Sequence, residues 1–243
     1  APGISSLLAA LAELRLDPAA VRYVCTTHVH LDHAGGTGAL LPYLPNATVI
    51  AHPRAVRHLV DPARLIEGAT AVYGAARMAA LYGDILPVPE ERVRAAPDGF
   101  ELDFGATTLV FLDTPGHARH HYCLHDRAGD AIYPGDTFGI AYPELATPAG
   151  PFLIPTTTPV QFEPDALHAS VDRLMALRPR CLYLMHYSAL AHPQRLAAGL
   201  HQAIDAHVAA VRSTGAQGEA ALAAHLLEGW LDTLQQRGCA LPR

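Results

Sequence analysis

The 243-residue chain contains no lysine; all 17 of its basic residues are arginine. That absence excludes Schiff-base catalysis and Ser–Lys nucleophile pairs. It also excludes a Walker-type phosphate loop, which needs a lysine. Charged residues of either sign are sparse, at 16% with a net charge of −6. The basic footprint of a general nucleic-acid binder is missing, so no nucleic-acid partner is expected. Cysteine is scarce too. Cys25, Cys123, Cys181 and Cys239 are far apart and form no CxxC pair. No disulfide framework is therefore expected. The first three lie in apolar runs that read as strands, as buried free thiols of a reducing cytoplasm would. No run of 18 apolar residues occurs, so no membrane span is expected. There is also no initiator Met and no signal-peptide pattern; the sequence opens at Ala1-Pro2-Gly3 as if it began partway into a longer protein.

Half of the residues are apolar, enough for one large core or two small ones, and one α/β domain is the simpler expectation. Ser5 and Ser6 can cap a helix over 5–16, and Val21 to Thr27 reads as a strand. A helix through Leu44 is expected after the turn at Gly35-Gly36. Thr48 to Ala51 reads as a strand and His52-Pro53 as a helix start. Residues 61–86 read as a helical insertion and Thr107 to Leu112 as a strand. Tyr122 to His125 and Ala131 to Tyr133 read as a hairpin around Asp126–Asp130. Residues 137–163, rich in Pro and Thr, read as a long loop of the kind that is usually functional or disordered. Pro164 to Leu177 reads as a helix, Cys181 to Met185 as a strand, and everything after Pro193 as helix. The alternation indicates α/β layering. In the tail, Leu222, Leu226, Leu227, Trp230, Leu231 and Leu234 make an amphipathic face, suited to a homodimer contact or to packing on its own domain.

The chemistry is concentrated in His28-x-His30-x-Asp32-His33, followed by Gly35-Gly36. Residues two apart on an extended segment point the same way, so His28 and His30 can converge on one ion. Asp32 and His33 come after the chain turns and can face a second. Imidazole and carboxylate suit zinc, and also iron or manganese. His117, Asp136 and His186 are weaker alone, but each follows a short apolar strand, as the hexad does. Ligand sites in α/β folds collect at strand ends.

Thr27-His28-Val29-His30-Leu31-Asp32-His33-Ala34-Gly35-Gly36, then Thr114-Pro115-Gly116-His117, then Gly135-Asp136, then His186, resembles the metallo-β-lactamase superfamily from about residue 5 to 190. The resemblance implies an αββα sandwich of two mixed β-sheets flanked by helices, with two metal ions at one edge. It implies one ion on His28, His30 and His117, a second on Asp32, His33 and His186, and Asp136 bridging them. True β-lactamases of the superfamily lack that bridging aspartate, whereas its glyoxalase II-like thioesterases, lactonases and phosphodiesterases have it. The superfamily normally begins with strands before the first helix, and these are missing from this sequence. On this reading residues 1–190 form the catalytic domain and 191–243 a helical extension that the resemblance does not cover.

The expected activity is hydrolysis of a small-molecule ester, thioester, lactone or phosphoester by a metal-bridging hydroxide. Two divalent ions serve it, zinc first, with Asp32 orienting the nucleophile. The runner-up is a mononuclear iron persulfide dioxygenase using His30 or His28 with His117 and Asp136. A flavodiiron role is disfavoured, since that pattern prefers Glu in place of His30. A different class is a metal-stabilised binding protein without turnover. His52, His120, His121 and His125 read as structural or supporting, Tyr142 and Tyr187 as packing, and Arg119 as a solvated arginine.

Overall fold

A computed structural model describes residues 3–158, 161–187 and 189–239. The opening Ala1-Pro2, positions 159 and 160 of the Pro/Thr loop, position 188 and the end of the tail beyond 239 lie outside the described residues. Chain contacts divide the molecule into two compact units. One is Ala1–Phe100 with His120–Tyr122; the other is Glu101–Arg119 with Cys123–Arg243.

The first unit contains α1 (Ile4–Glu13), β1 (Tyr23–Cys25), α2 (Leu31–Ala34), α3 (Thr37–Leu40), β2 (Thr48–Ala51), α4 (Pro53–Val60), α5 (Ala63–Tyr73), α6 (Ala75–Tyr82) and β3 (Val93–Ala95). Its three strands form a parallel sheet in the order β1-β2-β3. Parallel neighbours need a crossover connection, and α2 and α3 provide the first of these. The central strand β2 is a β-branched run with Val49, Ile50 and Ala51 all fully buried. That is what a strand covered on both faces requires. The core gathers Val29, Leu40, Leu41, Leu44, Val49 and Leu59. Arg92 closes the end of the helical stretch after α3 by donating to the carbonyls of Leu41, Leu44 and Ala47. The guanidinium thus ties the segment that leads into β2 to the end of that stretch.

Local chemistry explains the boundaries. Asp17 lies beyond α1, which stops at Glu13. Its carboxylate accepts from the Ala19 amide and caps a 3-10 turn over Pro18–Ala20. Gly3, not Ser5 or Ser6, is the N-cap of α1. His52 is the N-cap of α4: its Nδ1 accepts from the Arg54 amide at 3.1 Å, and Pro53 takes the first helical position. The helix expected through Leu44 is broken into α2, α3 and a 3-10 turn over Leu41–Tyr43. It also starts before the glycines. Gly35 and Gly36 form the turn between α2 and α3, at φ −61° and −85°.

The second unit contains β4 (Glu101–Asp103), β5 (Thr108–Asp113), β6 (Tyr122–Asp126), β7 (Ala131–Tyr133), α7 (Pro164–Ala176), β8 (Cys181–Tyr183), β9 (Ala189–Ala191), α8 (Gln194–Thr214) and α9 (Glu219–Gln236). The sheet runs β4-β5-β6-β7-β8-β9. It is mixed: β6 and β7 form the expected antiparallel hairpin, while β7 and β8 are parallel. Residues 137–158 and 161–163 are mostly irregular, tied by a bridge between Ile140 and Ile154. Leu167, Val171 and Leu174 of α7 share one core with Leu200 and Ile204 of α8 and Leu182 of β8. The tail is helical but interrupted. Gly218, at φ +96°, separates α9 from the 3-10 turn that ends α8, and the Trp230 ring lies 5.6 Å from that of His207 on α8. The fold is thus α/β, two sheets flanked by helices with a helical C-terminal part. Among the described residues no helix is long and apolar enough to cross a membrane.

All four cysteines are free thiols. Cys123, in β6, is fully buried and donates toward the Pro134 carbonyl at 3.2 Å. Burial pushes its thiol up to about 12. Since the thiolate is the reactive form, Cys123 is expected to resist a disulfide-exchange reagent at pH 8 until the chain is denatured. Rapid labelling of Cys123 in the native protein, located by peptide mass, would contradict this burial.

Candidate metal centre

Each unit builds its own set of donors. In the first, β1 ends at Cys25, and the extended segment that follows alternates its side chains. Val29 is fully buried in the core, while His28 and His30 turn the other way together. His28 Nε2 lies 3.0 Å from His30 Nδ1, with ring centroids 4.5 Å apart. The Thr27 hydroxyl lies 3.1 Å from His28 Nδ1 and orients that ring. His30 then serves as the N-cap of α2, and the single turn of α2 presents Asp32 and His33. The His33 ring comes within 4.0 Å of the His28 ring, and His33 Nε2 lies 3.4 Å from Asp32 Oδ2. The His33 side chain is buried, while that of Asp32 is half-exposed, at 49%.

Further imidazoles of this unit lie nearby. The His121 ring lies 4.9 Å from that of His28, and His120 lies 5.6 Å from His30. His58, to which the sequence reading gave no role, stands 6.3 Å from His120. Burial first, then the charges of His30 and His58, push His120 down to about 3. His120 is therefore a neutral imidazole, and its Nδ1 is buried with no hydrogen-bond partner among the described residues. A group of this kind supports a neighbouring donor by packing rather than by charge.

In the second unit, His117, Asp136 and His186 come together. Asp136 is buried, and its two oxygens face different rings. Oδ2 lies 3.3 Å from His117 Nε2, and Oδ1 lies 3.5 Å from His186 Nε2. The His117 ring is fixed from behind, with Nδ1 3.1 Å from the Thr156 carbonyl. A carbonyl only accepts, so Nδ1 carries the hydrogen and the neutral ring's lone pair is on Nε2. Nε2 and the carboxylate are then two acceptors facing each other, an arrangement that a cation between them stabilises. The Thr156 hydroxyl in turn donates to the Asp136 carbonyl at 2.5 Å, and the Thr158 hydroxyl to the His117 carbonyl at 3.0 Å.

The backbone explains this placement. Gly116 adopts φ +128°, and a Cβ there would meet the backbone of Leu167 in α7 at 2.3–2.4 Å. α7 also holds the preceding turn, since Ser170 Oγ donates to the Pro115 carbonyl at 2.6 Å and Arg173 to the Asp113 carbonyl at 2.8 Å. Gly135, at φ +51°, makes the corresponding turn before Asp136. Thr156 carried no signal of its own in the sequence, because the contact that matters is its carbonyl.

Other residues take ordinary roles. Arg119 is engaged with Glu163 at 2.5 Å in a largely exposed pair worth little. The Tyr142 and Tyr187 rings pack on each other, 4.7 Å apart.

Known proteins resemble the chain over most of its length. Over 171 residues the chain is 28% identical to the metallo-beta-lactamase fold-containing protein ST1585 of Sulfurisphaera tokodaii, covering 68% of this chain and 59% of that protein. The chain thus spans about three-fifths of the length of that relative. The crystal structure of ST1585 superposes with a TM-score of 0.63 at 27% identity, covering 74% of this chain and 67% of that one. TTHA1429 of Thermus thermophilus, at 22% identity and a TM-score of 0.60, covers 85% of this chain and 68% of its own. TTHA1623, solved in a di-iron-bound form, gives 24% and 0.55, covering 79% of this chain and 80% of its own, and both of these show the fold alone. The Metallo-beta-lactamase superfamily profile matches residues 2–186, most of the chain, and the candidate metal-binding donors His28, His30, Asp32, His33, His117, Asp136 and His186 all fall inside it, so the chain belongs to that superfamily.

Proposed function

We propose that this chain is a binuclear metal-dependent hydrolase of small esters, thioesters, lactones or phosphoesters. On this reading His28, His30 and His117 would hold one ion, Asp32, His33 and His186 the other, and Asp136 would be shared. The observation that carries this reading is the Asp136 carboxylate, buried with one oxygen toward each of two imidazoles. The donor set fits zinc, and also iron or manganese, all of which accept imidazole and carboxylate. Bound there, such ions acidify water and polarise the oxygen of the bond under attack.

The chain's own residues do the rest. Thr27 and the Thr156 carbonyl fix the rings of His28 and His117 from their far nitrogens. Such outer contacts set the tautomer and raise ligand basicity. Asp32, the half-exposed carboxylate, is placed to take a proton from the attacking water and return it to the leaving group. A bridging aspartate argues against a β-lactam substrate.

The test is metal content by plasma mass spectrometry on the purified chain, followed by lactones, thioesters, simple esters and phosphodiesters. Two ions per chain with turnover of one class is the expected result. A folded chain that never takes up two ions overturns the binuclear reading. Iron with oxygen consumption overturns hydrolysis in favour of a dioxygenase; the di-iron form of TTHA1623 makes iron worth including. Two ions with no turnover of any class leaves a metal-stabilised binding protein.

A further inference from the structure

α7 and α8 carry the same short pattern on facing turns: His168 and Asp172 on one, His201 and Asp205 on the other. Residues four apart share a helix face, so each helix presents one imidazole and one carboxylate to its neighbour. The contacts cross. His168 Nε2 lies 3.1 Å from Asp205 Oδ1, and His201 Nε2 lies 3.1 Å from Asp172 Oδ1. The two rings stack with centroids 4.8 Å apart, and their Nδ1 atoms face each other at 2.5 Å.

These contacts fix the protons. An ionised carboxylate only accepts, so each Nε2 must carry the hydrogen it donates. That leaves a lone pair on both Nδ1 atoms, pointing at each other within hydrogen-bond distance. Two bare lone pairs repel at this separation, so a cation belongs between them. A shared proton would answer the clash, and so would a metal ion.

We propose that His168 and His201 form a second, peripheral site for a borderline divalent metal ion such as Zn2+, distinct from the candidate metal centre. Each imidazole offers Nδ1 to the ion while its Nε2–H is held by a carboxylate from the opposite helix. A carboxylate on the far nitrogen is the usual outer partner of a metal-binding histidine. A dication also matches the two carboxylates in charge, which one proton does not. Zinc–nitrogen bonds of about 2.0–2.1 Å at a tetrahedral angle put the two nitrogens about 3.3 Å apart. The rings need to part by less than about 1 Å, which the broad χ2 torsion of histidine permits. Both rings are a quarter exposed and both carboxylates about three-quarters, so the ion has a path from solvent and room for water ligands. Its role is a clamp. It ties α8 to α7 one residue from Leu167, against which Gly116 and the His117 turn are packed.

The test is equilibrium dialysis of the full chain against Zn2+, with zinc counted per chain, for the parent, His201→Asn and the double variant His168→Asn/His201→Asn. Both variants are expected to hold one zinc fewer than the parent and to melt like it in chelator. Equal zinc counts overturn the proposal. The imidazole 15N resonances of the parent chain supply a check that needs no substitution. The Nδ1 signals of His168 and His201 should shift on adding Zn2+, and a pair that keeps its shared proton without shifting also overturns the site. The readout is a difference between chains that share an unaltered metal centre. It therefore stands whether or not that centre proves hydrolytic.

Discussion

Asp136→Asn is expected to abolish tight binding of two metal ions and to lower kcat/KM on the best substrate by more than about 100-fold. That exceeds the 10–100-fold typical of losing a merely supporting contact. The substitution keeps the shape of the side chain and removes its charge. One of the two oxygens that face His117 and His186 becomes an NH2 group, which donates to an imidazole nitrogen and cannot bind metal. The effect on folding should be opposite in sign. A buried carboxylate is a cost to the metal-free fold, so in chelator the variant should melt no lower than the parent. Metal content after dialysis, turnover and the chelator melt together separate a lost ligand from a damaged fold. Full metal content with undiminished turnover would remove Asp136 from the centre.

Gly116→Ala should be the most damaging small substitution in the second unit. Two costs add. A non-glycine residue at φ +128° is strained, at about 1–3 kcal/mol. Its methyl group would also sit 2.3–2.6 Å from Leu167 N, Cα and Cβ, where relief requires moving helix backbone, at about 1–3 kcal/mol for overpacking. A total near 3 kcal/mol or more corresponds to a fall in Tm of about 6–12 °C for a chain of this size. A melt within about 2 °C of the parent would show that α7 yields, and that Gly116 is not what sets the approach of the His117 turn to Leu167.

The strands legible in the sequence were those whose own residues argue for them. β2 is a β-branched run, and Ala131–Tyr133 pairs across a turn-rich link. The missed strands lack that signal. β9 is Ala-Leu-Ala, a helix-favouring tripeptide drawn into the sheet by pairing with β8. β3 and β4 are three residues each and carry Arg94, Glu101 and Asp103, as short edge strands can. Tertiary pairing outweighs propensity at such places. The candidate donors stood out for another reason. His28, His30, Asp32 and His33 are close in sequence, and a two-residue repeat on extended chain is a geometric statement in itself. His117, Asp136 and His186 depended on the resemblance, since nothing local to Asp136 distinguishes it from a turn residue. Thr156 was invisible because a carbonyl has no letter in a sequence, and the crossed His168/His201 pair because its two halves are 33 residues apart.

Val29 separates two histidines that would otherwise be judged on their chemistry alone. Its side chain is fixed by the apolar interior, so the directions of His28 and His30 are decided when the interior packs, by forces indifferent to any ion. The frame for the proposed centre is therefore set by folding rather than drawn together by its occupant. On that proposal the supply of ions around the protein, as much as the protein itself, would choose which chemistry it performs.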